Sequence, residues 1–348
     1  MKEWSNPYNS FNSYKGLLYR DQFEAIIKGR MLPPIEVNLD PCNNCQLNCV
    51  WCNAKNIIDR NKKVIFTREH LMSTIKNIAE WGVKGLCFAG GGEPTLCPDL
   101  ADSMDYATEC GLEVAIITNG LFIDDNQIDS VRRNCRWIGI SVDSSNAQTY
   151  KGLKGVDCFD KVIENIGKLK GAKEITYKFL IHPINQHEIY RACEIAKESG
   201  ATGFHSRMLA EEYLENPEYS FIYEEINKQL SECQKLDDEN FKTYTIYHKQ
   251  EGKGNRRIRF NKCQASPLLC MLEANGDVSV CIDRKGDPKT RLCSHENFEE
   301  FKNMWGSKAH FDLLDKICPS TECKKCTLNI YQELLEAHKS DSFCVNFP

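Results

Sequence analysis

The sequence predicts an α/β fold in which helices cover a parallel sheet, followed by a small cysteine-rich domain. Between residues 35 and 208, short apolar segments alternate six times with amphipathic segments of helical period. Such alternation is typical of a parallel sheet with helices on its outer side. Beyond residue 257, cysteines recur at short spacing and include the pair Cys323 and Cys326. This part is predicted as the second domain.

The composition is that of an ordinary globular protein with an unusual number of cysteines. The 348 residues leave room for one large domain and a smaller one. The net charge of −5 counts against a dedicated nucleic-acid binder, which usually carries a basic face. Because no apolar run has the length of a signal peptide or a membrane span, we expect a cytoplasmic protein without a membrane partner. In a reducing compartment, nineteen cysteines favour metal or redox chemistry over disulfides.

The expected elements follow in chain order. Residues 1–34 are expected to form an N-terminal extension with one short helix, near residues 21–27, that acts as a lid or brace on the sheet. Strands are expected at residues 35–40, 85–90, 113–118, 137–143, 175–181 and 202–208. Amphipathic helices are expected at residues 67–81, 159–170 and 187–199. The charged residues 211–256 are predicted as a helical connector, and residues 257–348 as the second domain.

Three cysteines stand in a C-x3-C-x2-C arrangement on the loop after the first expected strand. They are Cys45, Cys49 and Cys52, and Trp51 precedes the last of them. A cubane iron–sulfur cluster normally takes four thiolates, so three close ligands leave one iron open to a ligand that is not protein. The alternatives are a zinc knuckle and buried, inert cysteines. Cys42 offers a different set, C-x2-C-x3-C.

The ends of the next two expected strands carry turn residues. The second strand ends in Gly90-Gly91-Gly92-Glu93-Pro94. Glycines let the backbone approach a ligand, and the carboxylate can accept hydrogen bonds from an ammonium group. Taken alone, however, this segment indicates no more than a glycine-rich turn. The third strand ends in Thr118-Asn119-Gly120, where Asn119 is interpreted as a structural residue of the turn.

Together, the cysteine loop and the Gly-Gly-Glu-Pro segment resemble the signature of the radical S-adenosylmethionine (SAM) enzymes. The resemblance implies that Cys45, Cys49 and Cys52 hold a [4Fe–4S] cluster whose open iron chelates SAM, and that Cys42 takes no part. Reductive cleavage of SAM then gives a 5′-deoxyadenosyl radical that abstracts a hydrogen atom from the substrate. The strand–helix units resemble the family's partial (β/α)6 TIM-like barrel, here residues 35–210.

The resemblance also assigns residues to SAM itself. They are Trp51, through its backbone, and Gly91, Gly92, Glu93 and Ser141. Many family members hold the SAM carboxylate with an Arg-Gly pair, but this chain has Lys151-Gly152 and Lys154-Gly155. A lysine offers a point charge rather than a bidentate fork, which leaves this assignment open. Arg207 is an alternative source of the guanidinium.

No catalytic base is identified from the sequence. Four candidates lie on or just after the late strands of the barrel, and they are Lys178, His182, His205 and Arg207. Two of these, His205 and Arg207, share one face of the sixth expected strand because residues two apart in a strand point the same way. An inward-facing pair would serve the site, whereas an outward-facing pair would be ordinary surface.

The C-terminal cysteines resemble the SPASM/Twitch domains that many radical SAM enzymes carry. The shared pattern is a cysteine, then Gly-x4-Cys on a hairpin, and finally C-x2-C. It implies that an auxiliary [4Fe–4S] cluster is held by Cys263, Cys281, Cys323 and Cys326. A zinc site on the same cysteines is the alternative. Asn275-Gly276 is expected as a two-residue hairpin turn, and one helix is expected over residues 301–317.

The number of auxiliary clusters depends on the remaining C-terminal cysteines. Four further cysteines, Cys270, Cys293, Cys318 and Cys344, are enough in number for a second cluster. Their spacing departs from the pattern of the two-cluster domains, so we expect a single auxiliary cluster. The remaining cysteines of the chain are interpreted as buried filler.

These features predict a radical SAM oxidoreductase or epimerase. Its expected substrate is a small polar molecule, such as a sugar, an aminocyclitol or a nucleoside, because the chain is short and lacks an added domain for a leader peptide. The alternative is a peptide- or protein-modifying maturase, whose relatives usually carry two auxiliary clusters. A remote alternative is a non-catalytic iron–sulfur or zinc protein. Besides the substrate, the expected partner is a reductant such as flavodoxin or ferredoxin.

Overall fold

A ten-stranded sheet forms the centre of the structure, a computed structural model that describes residues 13–60, 63–209, 218–245, 250–251, 254–255 and 258–339. Its first seven strands are parallel, and each lies beside the one before it in the chain. In order, β1 to β7 are Glu36–Leu39, Gly85–Phe88, Glu113–Thr118, Cys135–Ser141, Ile175–Ile181, Gly203–Met208 and Lys242–Thr245. The six predicted strands are therefore confirmed.

The remaining strands come from the C-terminal part of the chain. They are β8 Gln250–Glu251, β9 Gly254–Asn255, β10 Leu269–Leu272, β11 Asp277–Ser279 and β12 Arg291–Ser294. Strands β8 and β9 form a separate hairpin. Strand β10 pairs in parallel with β1, and β11 and β12 follow it in antiparallel order. The cysteine-rich part thus continues the barrel sheet at its β1 edge.

Helices pack against the outer face of this sheet. The α-helices α1 to α13 are Arg20–Ile27, Lys55–Arg60, Arg68–Trp81, Leu100–Glu109, Asp125–Asn134, Ala147–Lys154, Phe159–Lys168, Ile189–Glu198, Tyr223–Gln234, Phe298–Met304, Lys308–Asp315, Pro319–Glu322 and Asn329–Lys339. Short 3-10 helices lie at Ser13–Tyr19, Pro94–Leu96, Ser266–Leu268 and Pro288–Thr290. Among the described helices, none is long and apolar enough to cross a membrane.

The alternation of side chains along each strand separates two environments. Outward residues such as Leu39, Phe88 and Ile116 are fully buried in the main core beneath the helices. The inward residues Cys87 and Ala115 belong to a small separate cluster inside the barrel. Because His205 and Arg207 alternate with the outward residues of β6, they lie on the inward face.

The predicted connector, residues 211–256, is not purely helical. It contains α9, but also the seventh parallel strand β7, which pairs with β6, and the β8–β9 hairpin. The sequence prediction missed β7 because this edge strand has only four residues, Lys-Thr-Tyr-Thr, and no apolar run.

Two local predictions in the C-terminal part were wrong. The single helix expected over residues 301–317 is two helices, α10 and α11, with Gly306 at a φ of 76° between them. The hairpin turn is also longer than two residues, since residues 273–276 connect β10 to β11. Gly276 has a φ of 93°, and the backbone N–H of Glu273 donates to the Asp277 carbonyl across the loop (2.8 Å).

Aromatic packing fixes the terminal parts of the described chain to the barrel. Trp81 of α3 packs edge-on against Phe298, Phe301 and Trp305, with ring centroids 5.8, 5.2 and 5.9 Å away. The described end of the N-terminal extension packs on α13, where Phe23 lies 5.9 Å from Tyr331 between ring centroids. The described end of the extension thus contacts the C-terminal part of the chain, and its role as a lid or brace stays a prediction.

Candidate active site

The three cysteines of the C-x3-C-x2-C motif lie on the loop that follows β1, at the carboxyl edge of the parallel strands. All three thiols are partly exposed. Burial raises the pKa of Cys45 to about 12, and the neighbouring Glu93, Cys49 and Cys52 act in the same direction. The interaction of Cys45 with both Cys49 and Cys52 places three thiols together on this loop, and a cubane cluster is held by such thiolates. The donor set therefore fits the predicted [4Fe–4S] cluster.

The cysteine loop is held by the end of α6. The backbone N–H of Asn48 donates to the Lys154 carbonyl (2.9 Å), and that of Val50 donates to the Leu153 carbonyl (3.0 Å). Gly155 closes the helix with a φ of 80°, and a Cβ added there would lie 3.1 Å from the Cβ of Asn48. Lys154-Gly155, one of the two Lys-Gly pairs noted in the sequence, thus lies directly against the cysteine loop, which is also called the cluster loop below.

Lys154 is buried at this site in an ion pair with Asp143. Its ammonium also donates to the Ser141 hydroxyl (3.1 Å) and lies 5.5 Å from the centre of the Trp51 ring. Burial lowers the pKa of Lys154, but Asp143 and Cys49 raise it more, so that the net pKa is above its usual value. Lys151 instead makes an exposed pair with Asp157 (3.7 Å).

Asp143 has the backbone geometry of a constrained site residue. Its φ of 62° makes it the one non-glycine residue with a positive φ in the described part of the chain. The Leu180 N–H donates to Oδ1 of the carboxylate (2.6 Å), and the Ser141 hydroxyl donates to Oδ2 (2.8 Å). The ion pair therefore joins the ends of β4 and β5 to α6, beneath the cluster loop.

Glu93, predicted to receive the SAM amino group, already has four protein donors. Its buried carboxylate accepts from the Thr95 N–H (3.1 Å) and hydroxyl (2.8 Å), from the Thr118 hydroxyl and from the Asn119 N–H (2.8 Å). Burial raises its pKa, and these hydrogen bonds oppose the rise. Glu93 thus connects the loop after β2 to the end of β3, and its contact with SAM stays a prediction.

Asp40 is a site residue that the sequence analysis missed. At the end of β1, its buried carboxylate accepts from the N–H groups of Gly91 (2.8 Å) and Gly92 (3.3 Å). Burial raises the pKa of Asp40 to about 7, although these bonds and Lys285 act against the rise. A period of two in the polar residues Glu36, Asn38 and Asp40 is the sequence signal that marks this inward face.

The glycines of the motif are needed because the backbone approaches its neighbours very closely. A Cβ on Gly90 would lie 2.2 Å from the Cβ of Asp40, and one on Gly92 would lie 2.1 Å from the Cys42 carbonyl oxygen. The buried Cys42 thiol donates to the Glu93 carbonyl (3.2 Å). Cys42 thus connects the loop after β1 to the loop after β2, and its thiol is engaged in this hydrogen bond.

We expect Gly92→Ala to disrupt the site, because both atoms of the 2.1 Å contact are tied to backbone and neither can move away cheaply. SAM affinity should fall by more than about fivefold, which corresponds to about 1 kcal/mol, the low end of overpacking costs. Equilibrium dialysis of reconstituted protein measures this. Gly152→Ala is the control, since nothing outside its own helix lies within 4 Å of the added Cβ. Equal SAM affinity in the two variants would contradict the expectation.

A pair of side chains beside the cluster loop has unsatisfied polar atoms. Gln46 donates to the Asn119 side-chain oxygen (3.1 Å), which also accepts from the Leu121 N–H (2.9 Å). The buried Nδ2 of Asn119 and Oε1 of Gln46 have no hydrogen-bond partner within the described part of the chain. Because buried polar groups are normally paired, one open donor and one open acceptor fit a polar ligand such as SAM. Asn119 thus has a structural bond as predicted, and also an open donor.

The four candidate bases lie at different places. His182 follows β5, is buried, and lies 5.4 Å from the Trp51 ring between centroids. Burial lowers its pKa to about 4, and its Nδ1 accepts from the Ile184 N–H (3.0 Å). His205 packs on Tyr244 at 4.8 Å, while Lys178 lies over Trp137 and Arg207 follows His205 on the inward face. His182 thus contacts Trp51 of the cysteine loop.

The structure brings the four predicted auxiliary ligands into one region. Burial raises the pKa of Cys263 to about 12, and the nearby Cys323 adds to the rise. Burial also raises the pKa of Cys281 and of Cys326, and the nearby Asp283 and Cys263 add to both rises. Among the described residues, no three Cys, His, Asp or Glu side chains converge tightly enough to hold a single ion. Thiols around a cluster lie further apart than those around one zinc ion, because the cluster's own atoms stand between them.

Three of the four spare cysteines lie in the described part of the chain. Cys270 and Cys293 are buried on β10 and β12. Cys318 is partly exposed, and its thiol lies 3.5 Å from the Ser320 hydroxyl. Cys344 lies outside the described residues. A single auxiliary cluster therefore stays our prediction.

Alanine at Cys281 or Cys323 should remove the auxiliary cluster but leave the cysteine loop intact. The expected loss is about four irons per chain, the content of one cubane cluster. Thermal stability should also fall, because metal binding contributes to folding. Iron analysis and melting curves measure both, and Cys318→Ala is the control. A loss of zinc instead of iron would support the zinc alternative, and unchanged metal content would show that the assignment is wrong.

Comparison with known proteins agrees with this site. Residues 39–196 match the family model described as Radical SAM superfamily. A curated relative, the AdoMet-dependent heme synthase of Methanosarcina barkeri (strain Fusaro / DSM 804), is 28% identical over 169 residues. This match covers 46% of each of the two chains, so the chain spans about half the length of the curated relatives it matches.

Solved structures resemble the chain over a greater length. Streptococcus suis SuiB, in a crystal structure bound to its precursor peptide SuiA, has a TM-score of 0.66 at 16% identity. The match covers 98% of this chain and 82% of that one. Native anSMEcpe with bound AdoMet and the Kp18Cys peptide has a TM-score of 0.61 at 18% identity, over 87% of this chain and 96% of that one. At these identities the similarity shows the fold, and it confirms the predicted partial barrel with a cysteine-rich C-terminal part.

Proposed function

The chain belongs to the radical SAM family, and we propose on that premise that its substrate is a peptide or protein. The observation that carries the proposal is the length of the structural match. SuiB and anSMEcpe, whose structures hold peptides, share the fold over 98% and 87% of this chain, the C-terminal part included. The curated heme synthase matches only 46% of the chain. The expectation of a small polar substrate depends on the length and domain content of the chain and on its cysteine spacing, and the whole-chain match outweighs it.

The cofactors of this family are a [4Fe–4S] cluster and SAM. Cys45, Cys49 and Cys52 would hold the cluster, and the open polar atoms of Gln46 and Asn119 would face SAM. When bound, the two cofactors supply the 5′-deoxyadenosyl radical that takes a hydrogen atom from the substrate. The C-terminal thiols fit an auxiliary [4Fe–4S] cluster, which would receive the electron if the substrate radical is oxidised.

The residues of the chain position this chemistry. The Lys154–Asp143 pair holds the cluster loop from below, through the carbonyls at the end of α6. Asp40 fixes the N–H groups of Gly91 and Gly92. His182 is neutral at neutral pH because burial lowers its pKa to about 4, so its imidazole contributes no charge beside Trp51. A reductant such as flavodoxin or ferredoxin would deliver the electron that starts the reaction.

The proposal predicts that peptides, and not small metabolites, stimulate SAM cleavage. Reduced, reconstituted protein would be incubated anaerobically with SAM and either a library of synthetic peptides or a pool of sugars, aminocyclitols and nucleosides. Mass spectrometry would follow 5′-deoxyadenosine and any change in peptide mass. We expect 5′-deoxyadenosine to rise above the substrate-free background only with peptides. A rise only with the small-molecule pool would contradict the proposal and support the sugar, aminocyclitol or nucleoside hypothesis.

A matched variant separates true turnover from background cleavage. In Cys45→Ala, the predicted cluster cannot form, so both the peptide-dependent 5′-deoxyadenosine and the mass change should disappear. If the wild-type protein cleaves SAM but neither pool raises 5′-deoxyadenosine above the substrate-free background, the radical SAM assignment stands and the peptide proposal fails. If even dithionite-reduced wild-type protein gives no 5′-deoxyadenosine, the non-catalytic alternative gains support.

A further inference from the structure

One loop of the C-terminal part lies between the two groups of cysteines. It consists of residues 283–287, Asp-Arg-Lys-Gly-Asp, and is called here the bridging loop. It begins two residues after Cys281, one of the predicted auxiliary ligands, and it reaches the glycine motif of the barrel. Asp283 and Arg284 contact the auxiliary side, and Lys285 contacts the barrel side.

On the auxiliary side, the bridging loop holds the segment with the C-x2-C pair. The Asp283 carboxylate accepts from the N–H of Thr327 (2.6 Å), directly after Cys326, and pairs with Lys325 (3.1 Å). The Arg284 guanidinium lies 3.8 Å from the Cys323 sulfur and pairs with Asp287 within the loop (2.7 Å). The position of the loop therefore depends on where the auxiliary ligands are.

On the barrel side, the bridging loop contacts the glycine motif. Lys285 donates from Nζ to the Gly90 carbonyl (3.0 Å). Its positive charge also acts on Asp40, whose carboxylate binds the N–H groups of Gly91 and Gly92. The motif is thus held from two directions, by a carboxylate on its N–H groups and by an ammonium on its carbonyl side.

Close packing beside Lys285 leaves the loop little freedom. Gly286 has a φ of 70°, and its N–H donates to the Glu273 carboxylate (2.8 Å). A Cβ on Gly286 would lie 2.3 Å from Cγ1 of Ile57, in the helix that follows the cysteine loop. A displacement of the bridging loop therefore changes the contacts of both the glycine motif and α2, the helix after the cysteine loop.

We propose that Lys285 is a positioning residue that couples the auxiliary site to SAM binding, by holding the glycine motif in its SAM-binding form when the auxiliary cysteines are occupied. The proposal rests on the radical SAM site described above and is independent of the peptide substrate. When the auxiliary cluster is absent, Arg284 and Asp283 lose the fixed positions of their partners, the bridging loop relaxes, and Lys285 leaves Gly90.

The first test is the affinity for SAM, measured by equilibrium dialysis on anaerobically reconstituted protein without peptide or reductant. Lys285→Met removes the charge and the donor but keeps the length of the side chain. We expect the Kd for SAM to rise roughly tenfold to a hundredfold, the range for a lost hydrogen bond to a charged group. Lys285→Arg keeps the charge and should restore most of the affinity. Lys289→Met is the matched control, since this lysine is 68% exposed and pairs with Glu322.

The second test is whether the two sites act through the same loop. Cys323→Ala should raise the Kd for SAM by a factor similar to that of Lys285→Met. The double variant should bind SAM no more weakly than the weaker single variant, because both changes release the same contact. Hydrogen exchange of the backbone over residues 88–94 should increase in both single variants and stay unchanged in Lys289→Met.

Two results would overturn the proposal. One is a Kd for SAM in Lys285→Met equal to that of Lys289→Met, and the other is fully multiplicative effects of Lys285→Met and Cys323→Ala. If Lys285→Met does not retain its clusters, Lys285→Gln keeps a donor at this position, and wild-type SAM affinity and wild-type exchange in that variant would equally contradict a role for the charge. Failure of the peptide proposal leaves all of these binding measurements unaffected.

Discussion

Alanine at Cys45, Cys49 or Cys52 should reduce the formation of 5′-deoxyadenosine from SAM by more than about a hundredfold. Even the partners that orient metal ligands are worth 10- to 100-fold, so the loss of a ligand costs at least as much. The three thiols lie on one loop. Burial raises the pKa of Cys45 and of Cys49, and Cys52 adds to both rises, which places the three thiols close together. The measurement is mass spectrometry of 5′-deoxyadenosine with dithionite as reductant, alongside the iron content of each variant.

The fourth cysteine of this region provides a decisive control. If the set C-x2-C-x3-C held the cluster, Cys42 would be essential and Cys52 would not. In the structure the Cys42 thiol is buried and donates to the Glu93 carbonyl, so Cys42→Ala should keep the cluster and the cleavage of SAM. Cys110→Ala, in a partly exposed thiol after α4, controls for the substitution itself. Cleavage that survives Cys52→Ala and disappears in a folded Cys42→Ala variant would contradict the assignment.

The cluster loop was predictable because its ligands are close in sequence. Three cysteines within eight residues need no knowledge of the tertiary fold, and the same holds for the glycine motif. The strands β1 to β6 were predictable for a similar reason, since their apolar residues form short runs, as in β3 and β5, or recur at even spacing, as in β1 and β6. Strand β7 escaped prediction because it is short, polar and at the edge of the sheet.

The supports of the site were not predictable, because they join residues that are far apart in sequence. Lys285 reaches Gly90 across 195 residues, and Asp40 reaches Gly91 across 51. Neither residue has a local pattern that reveals its partner. For Glu93 the motif suggested a ligand contact, whereas the fold shows that hydrogen bonds to β3 already use most of its carboxylate. The spacing of cysteines in the sequence thus predicts the cluster ligands, whereas the residues that support their loops, such as Asp40 and Lys285, are seen only in the fold.

Lys154→Met should destabilise the protein by about 3–5 kcal/mol, the cost of breaking a buried ion pair by removing one partner. Both side chains of the Lys154–Asp143 pair are 2% exposed, so the remaining carboxylate would stay buried without its cation. The loss would also reach the cluster loop, because the Asn48 N–H binds the Lys154 carbonyl at the end of α6. Denaturant unfolding of the anaerobic protein measures the free energy of unfolding, and iron analysis measures the retained cluster.

Lys151→Met is the matched control for this change, since it alters the other Lys-Gly pair of the same helix. Lys151 is 63% exposed and its pair with Asp157 is surface-exposed, so its loss should cost less than about 1 kcal/mol. Adding Asp143→Asn to Lys154→Met should recover part of the stability. The neutral amide oxygen can still accept from Leu180, and no charge is left buried. If Lys154→Met is as stable as Lys151→Met, the buried pair does not support the cluster loop. If instead Lys154→Met is destabilised and the added Asp143→Asn brings no recovery, the loss comes from packing of the lysine stem rather than from the unpaired charge.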